Sequence, residues 1–331
     1  MIVTVGTMRP MDIDPTFVPY LEEAMAGCPR PLHEENTVER RARVAECRRR
    51  AAPPIPGDMR VETVTVPVPG RRMEMRFYRP ASAGGGALPV IFYVHGGGWM
   101  YGSPEQSEGT CVRFCQETGA AVVAPRYRLS PEYPFPAGFE DCYAALRWVA
   151  EEGHGMGLDG TRIAVSGESS GGNLSAALAI EARDKGGPAI RLQVLNYPAL
   201  GTDFETGSYR ENAAAPILSR DEMIYFWRVY LGGDMGTRDP CAAPLAAADL
   251  CGLPPAHIVT AEYDPLRDDG IRYAGRLKDA GVSVEFVNAR HLTHGFMRAW
   301  PVSDDVKDLA EGMCRALRDA FGEADGERVS A

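Results

Sequence analysis

A chain of 331 residues, 45% apolar and 24% charged, has the composition of a globular protein and enough length to bury a large core. Its net charge of −10 repels phosphate backbones and anionic lipid surfaces, which argues against nucleic acid as a partner. No apolar run approaches the ~20 residues that span a bilayer, so membrane insertion is not expected.

One α/β domain of about 200–250 residues with a smaller appendage fits this length better than two equal halves. Met1 to Pro10 has neither a charged leader nor an apolar core, so it does not read as a signal peptide, and a cytoplasmic location is expected. Residues 1 to about 50 carry helical spacing, with Phe17, Leu21 and Met25 four apart. The basic run Arg40, Arg41, Arg43 and Arg48 to Arg50 is interrupted by Glu46 and reads as the solvated face of a helix. Ala51-Ala-Pro-Pro-Ile-Pro-Gly-Asp58 then breaks any helix and marks a boundary. Val61 to Val68 and Met73 to Tyr78 predict a hairpin around Pro69-Gly70. Apolar runs at Pro89 to Val94, Ala120 to Ala124, Arg162 to Val165, Leu192 to Leu195, His257 to Thr260 and Val282 to Val287 predict buried strands. Helical patterns at Phe139 to Glu151, Leu174 to Arg183 and Gly270 to Lys278 lie between them, which predicts a mostly parallel sheet covered on both faces.

Between Leu195 and His257 there is more chain than a simple crossover needs. Arg220 to Leu231 in that stretch is an aromatic-rich helix candidate whose Phe226, Trp227 and Tyr230 serve helix packing, a pocket wall, or both. The eight cysteines are scattered without a C-x-x-C pair, and read as reduced, mostly buried small hydrophobes. Cys111 and Cys115 lie four apart on a probable helix, but no His or second Cys pair completes a zinc set, so no metal is expected.

Gly167-Glu168-Ser169-Ser170-Gly171-Gly172 follows a predicted strand and precedes a predicted helix, the context that a G-x-S-x-G nucleophile elbow requires. Side chains flanking so sharp a turn would clash, and the helix start favours developing negative charge at Ser169. His95-Gly96-Gly97-Gly98 directly follows the strand Pro89 to Val94. Main chain stripped of side chains approaches a substrate carbonyl closely, so the amides of Gly96, Gly97 and Ser170 are candidate donors to an oxyanion. A phosphate loop would end in Gly-Lys-Ser/Thr, whereas this run continues Trp99-Met100, and Trp99 is a candidate pocket residue. His95 reads as a structural loop holder. A serine hydroxyl needs a base, and the base an orienting acid. Downstream lie His257, which opens a strand and reads as packing, and His291 and His294, both placed in the loop after the strand Val282 to Val287; His294 is preferred and His291 is its rival. For the acid, Asp264 at a predicted strand end is preferred over Glu262, Asp268 and Asp269, the last two falling in a helix first turn.

The stretches His95 to Trp99, Tyr127-Arg-Leu-Ser-Pro-Glu132, Phe135-Pro-Ala137, Gly167 to Gly172, Asp264-Pro-Leu-x-Asp268 and His294-Gly-Phe296 together resemble the hormone-sensitive lipase family of α/β-hydrolases, over nearly the whole chain. The resemblance implies an α/β-hydrolase fold with a mostly parallel central sheet, helices on both faces and a helical cap. That cap would be residues 1–58 plus an insertion at about 200–235 on a core of 59–331. It also implies carboxylic ester hydrolysis of a small-molecule ester with short to medium acyl chains, no cofactor, and triad roles for Ser169, Asp264 and His294. The chain departs from the family at Glu168, more often Asp or Thr, and at Ser170, commonly Ala. An amidase or deacetylase would use the same residues; a non-catalytic receptor is expected to lack part of the triad, and an interfacial lipase to carry an apolar lid. A homodimer stays open, because nothing in the sequence encodes the oligomeric state.

Overall fold

The computed structural model describes residues 2–3, 11–27, 34, 37–50, 54–82 and 86–322. Apart from residues 2–3, the reading made on Met1 to Pro10 lies outside the described residues, as do Cys28, Ala51 to Pro53 and the side chains of Cys47 and Arg48 to Arg50.

Eight strands form the central sheet: β1 (Met59–Val68), β2 (Arg71–Pro80), β3 (Leu88–Val94), β4 (Ala121–Pro125), β5 (Leu158–Glu168), β6 (Ile190–Asn196), β7 (Ala256–Tyr263) and β8 (Val284–Thr293), in the spatial order β8-β7-β6-β5-β3-β4-β2-β1. β1 and β2 are the expected hairpin, turned at Gly70 with φ 76°, and β2 pairs antiparallel with β4. Every pairing from β4 to β8 is parallel. The strands β3, β5, β6, β7 and β8 therefore deliver their carboxyl ends to one edge of the sheet. Between β3 and β5 the strand order reverses, the place where open α/β sheets form a crevice.

Helices cover both faces, and the period-2 alternation of β3 sorts their contacts. Val90, Phe92 and Val94 pack with Cys142, Leu146 and Val149 of α4 (Ala137–Glu152) and with Leu174 and Leu178 of α5 (Ser170–Asp184). Ile91 and Tyr93 pack on the other face with Cys111, Phe114 and Cys115 of α3 (Glu108–Thr118) and Met313 and Leu317 of α9 (Asp304–Phe321). α8 (Arg267–Asp279) closes a third cluster through Tyr273 and Leu277 against β6 and β7. Cys111, Cys115, Cys142 and Cys314 are buried, Cys241 is partly so and Cys251 is exposed.

The N-terminal segment contributes α1 (Val18–Gly27) and α2 (Val38–Arg50). The basic run on α2 is not uniformly solvated as expected. Arg40 and Arg41 are buried beside Val44, and Arg41 pairs with Glu132, so one stripe of that run faces the body of the molecule. Between β6 and β7 come α6 (Gly207–Glu211) and α7 (Arg220–Tyr230). α7 starts where its sequence predicts because Ser219 and Glu222 form a reciprocal capping box. No helix among the described residues is long and apolar enough to cross a membrane.

Candidate active site

The elbow comes first in the chain of causes. β5 runs on through Gly167 and Glu168, and α5 begins at Ser170, four residues earlier than the sequence pattern indicated, so the turn is a single residue, Ser169. Its backbone sits at φ 56°, ψ −122°, a region that costs a non-glycine residue about 1–3 kcal/mol. The surrounding hydrogen bonds hold it there: Ser169 N–H donates to Asn196 O at 2.9 Å and Asn173 N–H to Ser169 O at 3.0 Å. Gly171 is required by proximity, since a Cβ on it would lie 2.0 Å from Val94 O. The result is a half-buried Ser169 at the positive end of α5.

The glycine loop after β3 lies alongside, because Val94 pairs with Gly167 across the sheet. Gly97 needs its missing side chain twice over, with φ 128° and a hypothetical Cβ 2.0 Å from Tyr101 O. His95 holds the loop from within: its ring stacks on Tyr127 at 4.4 Å, Nδ1 lies 2.9 Å from Gly96 O, and Tyr127 OH donates to His95 O at 2.9 Å. Burial pushes the His95 imidazole down to about 4, so it stays neutral near physiological pH.

Asp264 follows β7 and His294 follows β8. His294 Nδ1 is 2.7 Å from Asp264 Oδ2, and His294 Nε2 is 3.0 Å from Ser169 Oγ. With Nδ1–H donating to the carboxylate, Nε2 is left as the acceptor that faces the hydroxyl. Asp264 is 1% exposed and His294 7%, and Asp264 Oδ1 also accepts from Leu266 N–H at 2.9 Å. Tyr197, next after β6, lays its ring edge-on to His294 at 4.7 Å.

The competing residues are spoken for elsewhere. β8 extends to Thr293, with a register shift between Ala289 and Thr293, so His291 belongs to the strand and not to the loop where its sequence placed it. Its side chain is 45% exposed, with Nδ1 3.1 Å from Asp12 O. His257 is buried in β7, as expected of a packing residue. Glu262 pairs with Arg267 and accepts from Asn288 Nδ2 at 2.7 Å. Asp268 accepts from Ser208 N–H at 2.8 Å.

Asp269 is buried and accepts from the amides of Leu200 and Gly201 at 2.8 and 3.1 Å, fixing the chain as it leaves β6. Asp269→Ala is expected to cost about 1–3 kcal/mol for each buried amide left without an acceptor, read as a lower midpoint in a denaturant titration. Burial also raises this carboxyl to about 7 from 3.8. The folded protein thus keeps a proton that the unfolded chain releases, so this group's contribution to stability declines as pH rises from about 4 to about 7.

A cleft above these residues is lined by Gly96, Gly97, Gly98, Tyr101, Glu168, Ser169, Tyr197, Ile217, Leu218, Phe226, His294, Gly295 and Arg298. Of the four pocket candidates, only Phe226 is among them. Trp99, Trp227 and Tyr230 turn toward each other instead, Trp99 stacked on Tyr230 at 4.3 Å and tilted on Trp227 at 4.5 Å. All three are at most 2% exposed and do not line the cleft as expected, because large aromatic faces bury more area against one another than along an open cleft. Tyr101, Tyr197, Ile217, Leu218 and Arg298 were not singled out from the sequence. Tyr197 had a signal, its place at the carboxyl end of a parallel strand; the others had none. No group of three or more His, Cys, Asp or Glu among the described residues is arranged to hold a metal ion.

Comparison with known proteins bears on the fold and the family. A family described as the alpha/beta hydrolase fold matches residues 91–298. The chain is 41% identical over 290 residues to the esterase LipI of Mycobacterium tuberculosis, covering 86% of this chain and 89% of that one. It is also 41% identical over 300 residues to the carboxylesterase NlhH of the same species, covering 89% and 92%. The crystal structure of a thermostable esterase from Pseudomonas putida superposes with a TM-score of 0.86 at 33% identity, covering 96% of this chain and 99% of the other. With its sheet, helices and motifs in this order, the chain belongs to the hormone-sensitive-lipase-like family of α/β-hydrolases.

Proposed function

We propose that this protein is a serine carboxylesterase acting on small esters through an acyl-enzyme on Ser169. Ester hydrolysis is the activity named for its relatives LipI and NlhH, and it is the activity of this chain. One observation carries the residue assignment: an unbroken hydrogen-bonded series from Asp264 through His294 to Ser169, ending at the floor of a cleft.

In the first step His294 Nε2 takes the hydroxyl proton as Ser169 Oγ attacks the ester carbonyl, and Asp264 stabilises the resulting imidazolium. The carbonyl oxygen gathers negative charge beside the amides of Gly96, Gly97 and Ser170, the last being a first-turn amide of α5 with no partner inside its helix. His294 returns the proton to the departing alcohol. Water then enters by the same route, and the acid leaves. We further assign residues 1–58 and about 200–235 to a cap over the 59–331 core, supported by Ile217, Leu218 and Phe226 on the cleft wall and by Tyr20, whose hydroxyl donates to Gly295 O at 3.2 Å. A cytoplasmic enzyme acting on small, dissolved esters is the reading we adopt, and the net charge of −10 supports its substrate part by disfavouring anionic lipid surfaces.

A panel of nitrophenyl esters of increasing acyl length, run beside an arylamide, tests this reading. A burst of nitrophenol matching the enzyme concentration is expected with short esters. Hydrolysis of the arylamide alone would assign the protein to the amidases, and inertness to every ester would end the proposal. Phe226 is expected to limit chain length, because its ring fills the space where a Cβ on Gly98 would lie, 2.7 Å away. Phe226→Ala should shift the preference toward longer acyl groups by about 10-fold or more in the kcat/KM ratio, each extra buried methylene being worth about 0.8 kcal/mol. An unchanged ranking of esters would remove Phe226 from the wall of the acyl site.

A further inference from the structure

Glu168, immediately before Ser169, places a carboxylate beside the site where the reaction would build a second negative charge. Its side chain is 4% exposed, and Gly96 packs on it so closely that a Cβ there would lie 3.1 Å from Glu168 Cγ. Three elements converge on it. Ser107, just before α3, donates its hydroxyl to Oε1 at 3.2 Å; Tyr197 donates to Oε2 at 2.7 Å; Arg298 Nη2 donates to Oε1 at 3.3 Å. Arg298 stands four residues beyond His294, in the turn Phe296–Ala299. The same Tyr197 whose hydroxyl meets Glu168 lays its ring against both His294 and Phe296, at 4.7 Å each. Burial by itself would lower the Arg298 guanidinium, but the facing Glu168 carboxylate more than reverses that and holds the cation firmly charged.

A buried carboxylate without a cation opposes any further negative charge forming close by, and a tetrahedral oxyanion is such a charge. We propose that Arg298 is a positioning residue for the ester reaction: its guanidinium neutralises Glu168 next to the oxyanion site and ties the His294 turn to the nucleophile elbow. The inference rests on the triad reading above. A contrasting role, anchoring a carboxylate on the substrate, is less well matched to the charges present, since Glu168 already occupies Arg298 and Asp264 adds a second negative charge below the cleft.

Arg298→Met keeps the unbranched stem and removes the charge, Arg298→Lys keeps the charge, and Glu168→Gln/Arg298→Met removes both members of the pair. With p-nitrophenyl butyrate, Arg298→Met is expected to lower kcat by about 10–100-fold with KM nearly unchanged, the effect of one uncompensated charge near the reacting atoms. Arg298→Lys should retain most of kcat, and the double variant should recover at least about 10-fold over Arg298→Met, a coupling that mere loss of packing would not produce. Wild-type kcat in Arg298→Met, or a folded double variant no faster than Arg298→Met, would overturn the proposal. A rise in KM alone, largest for an ester bearing a carboxylate, would also overturn it in favour of substrate anchoring. Should Arg298→Met fail to fold, the double variant decides: with the charge balance restored and the tie between turn and elbow lost, kcat within about 10-fold of wild type is expected, and an inactive folded protein would refute. Full activity in Ser169→Ala would instead remove the triad reading itself, whereas a dead Ser169→Ala beside an unaffected Arg298→Met removes this inference alone.

Discussion

Ser169→Ala is expected to lower kcat on the order of 10⁶-fold, because a triad acts as a unit and loses nearly its whole contribution when the nucleophile is removed. The residual rate would come from the amides of the glycine loop and from substrate binding, both of which the substitution leaves in place. The backbone at φ 56° is imposed by β5 and α5 and not by the hydroxyl, so the variant should fold. Intact mass measurement after exposure to an organophosphonate gives the matching readout: one adduct on the wild-type protein and none on the variant. A kcat within 10-fold of wild type would show that the attacking group lies elsewhere.

Asp264→Asn is expected to lower kcat by about 10⁴-fold through the tautomer of its neighbour. The carboxylate accepts from His294 Nδ1 at 2.7 Å, which leaves Nε2 unprotonated and facing Ser169 Oγ at 3.0 Å. A carboxamide that turns its N–H₂ toward Nδ1 makes that nitrogen the acceptor and puts the proton on Nε2, where it cannot receive one from the serine. The backbone bond from Leu266 N–H to Asp264 Oδ1, at 2.9 Å, remains available to an amide oxygen, so local structure should persist. Circular dichroism overlaying the wild type, with kcat reduced, is the expected pair of results. Loss of less than about 10-fold in a folded variant would shift the acid role to another group. Glu262→Gln makes the control, since that carboxylate is engaged with Arg267 and Asn288 away from His294.

The two pairings most diagnostic of the site differ in how far they could be read along the chain. Gly167 to Gly172 announces itself because the constraint is local: a one-residue turn between β5 and α5 forbids side chains at fixed offsets, and that prohibition is written as glycine. Parallel strands bring Asp264 after β7 and His294 after β8 to the same sheet edge as Ser169, and the order acid then base is the one known for this fold. The choice between His294 and His291 depends on where β8 stops, and strand ends are set by pairing with β7 rather than by the strand's own residues. The aromatic helix α7 shows the same limit. Its aromatic run marks a helix over Arg220 to Leu231, yet Phe226 faces the cleft while Trp227 and Tyr230 join Trp99, and only the packing partner distinguishes them.

By itself, then, the sequence determined the alternation of strands and helices, the elbow and the glycine loop, since each of these is enforced by backbone geometry over a few residues; His294 and Asp264 it marked as preferred candidates for base and acid. Tertiary structure alone decided which aromatic residues wall the cleft, that Asp269 holds the chain leaving β6, and that Glu168 meets Arg298 across 130 residues of sequence. The physical reason is that a buried charge or ring takes its role from what is packed against it, and partners far apart in the chain leave no periodic mark of their meeting.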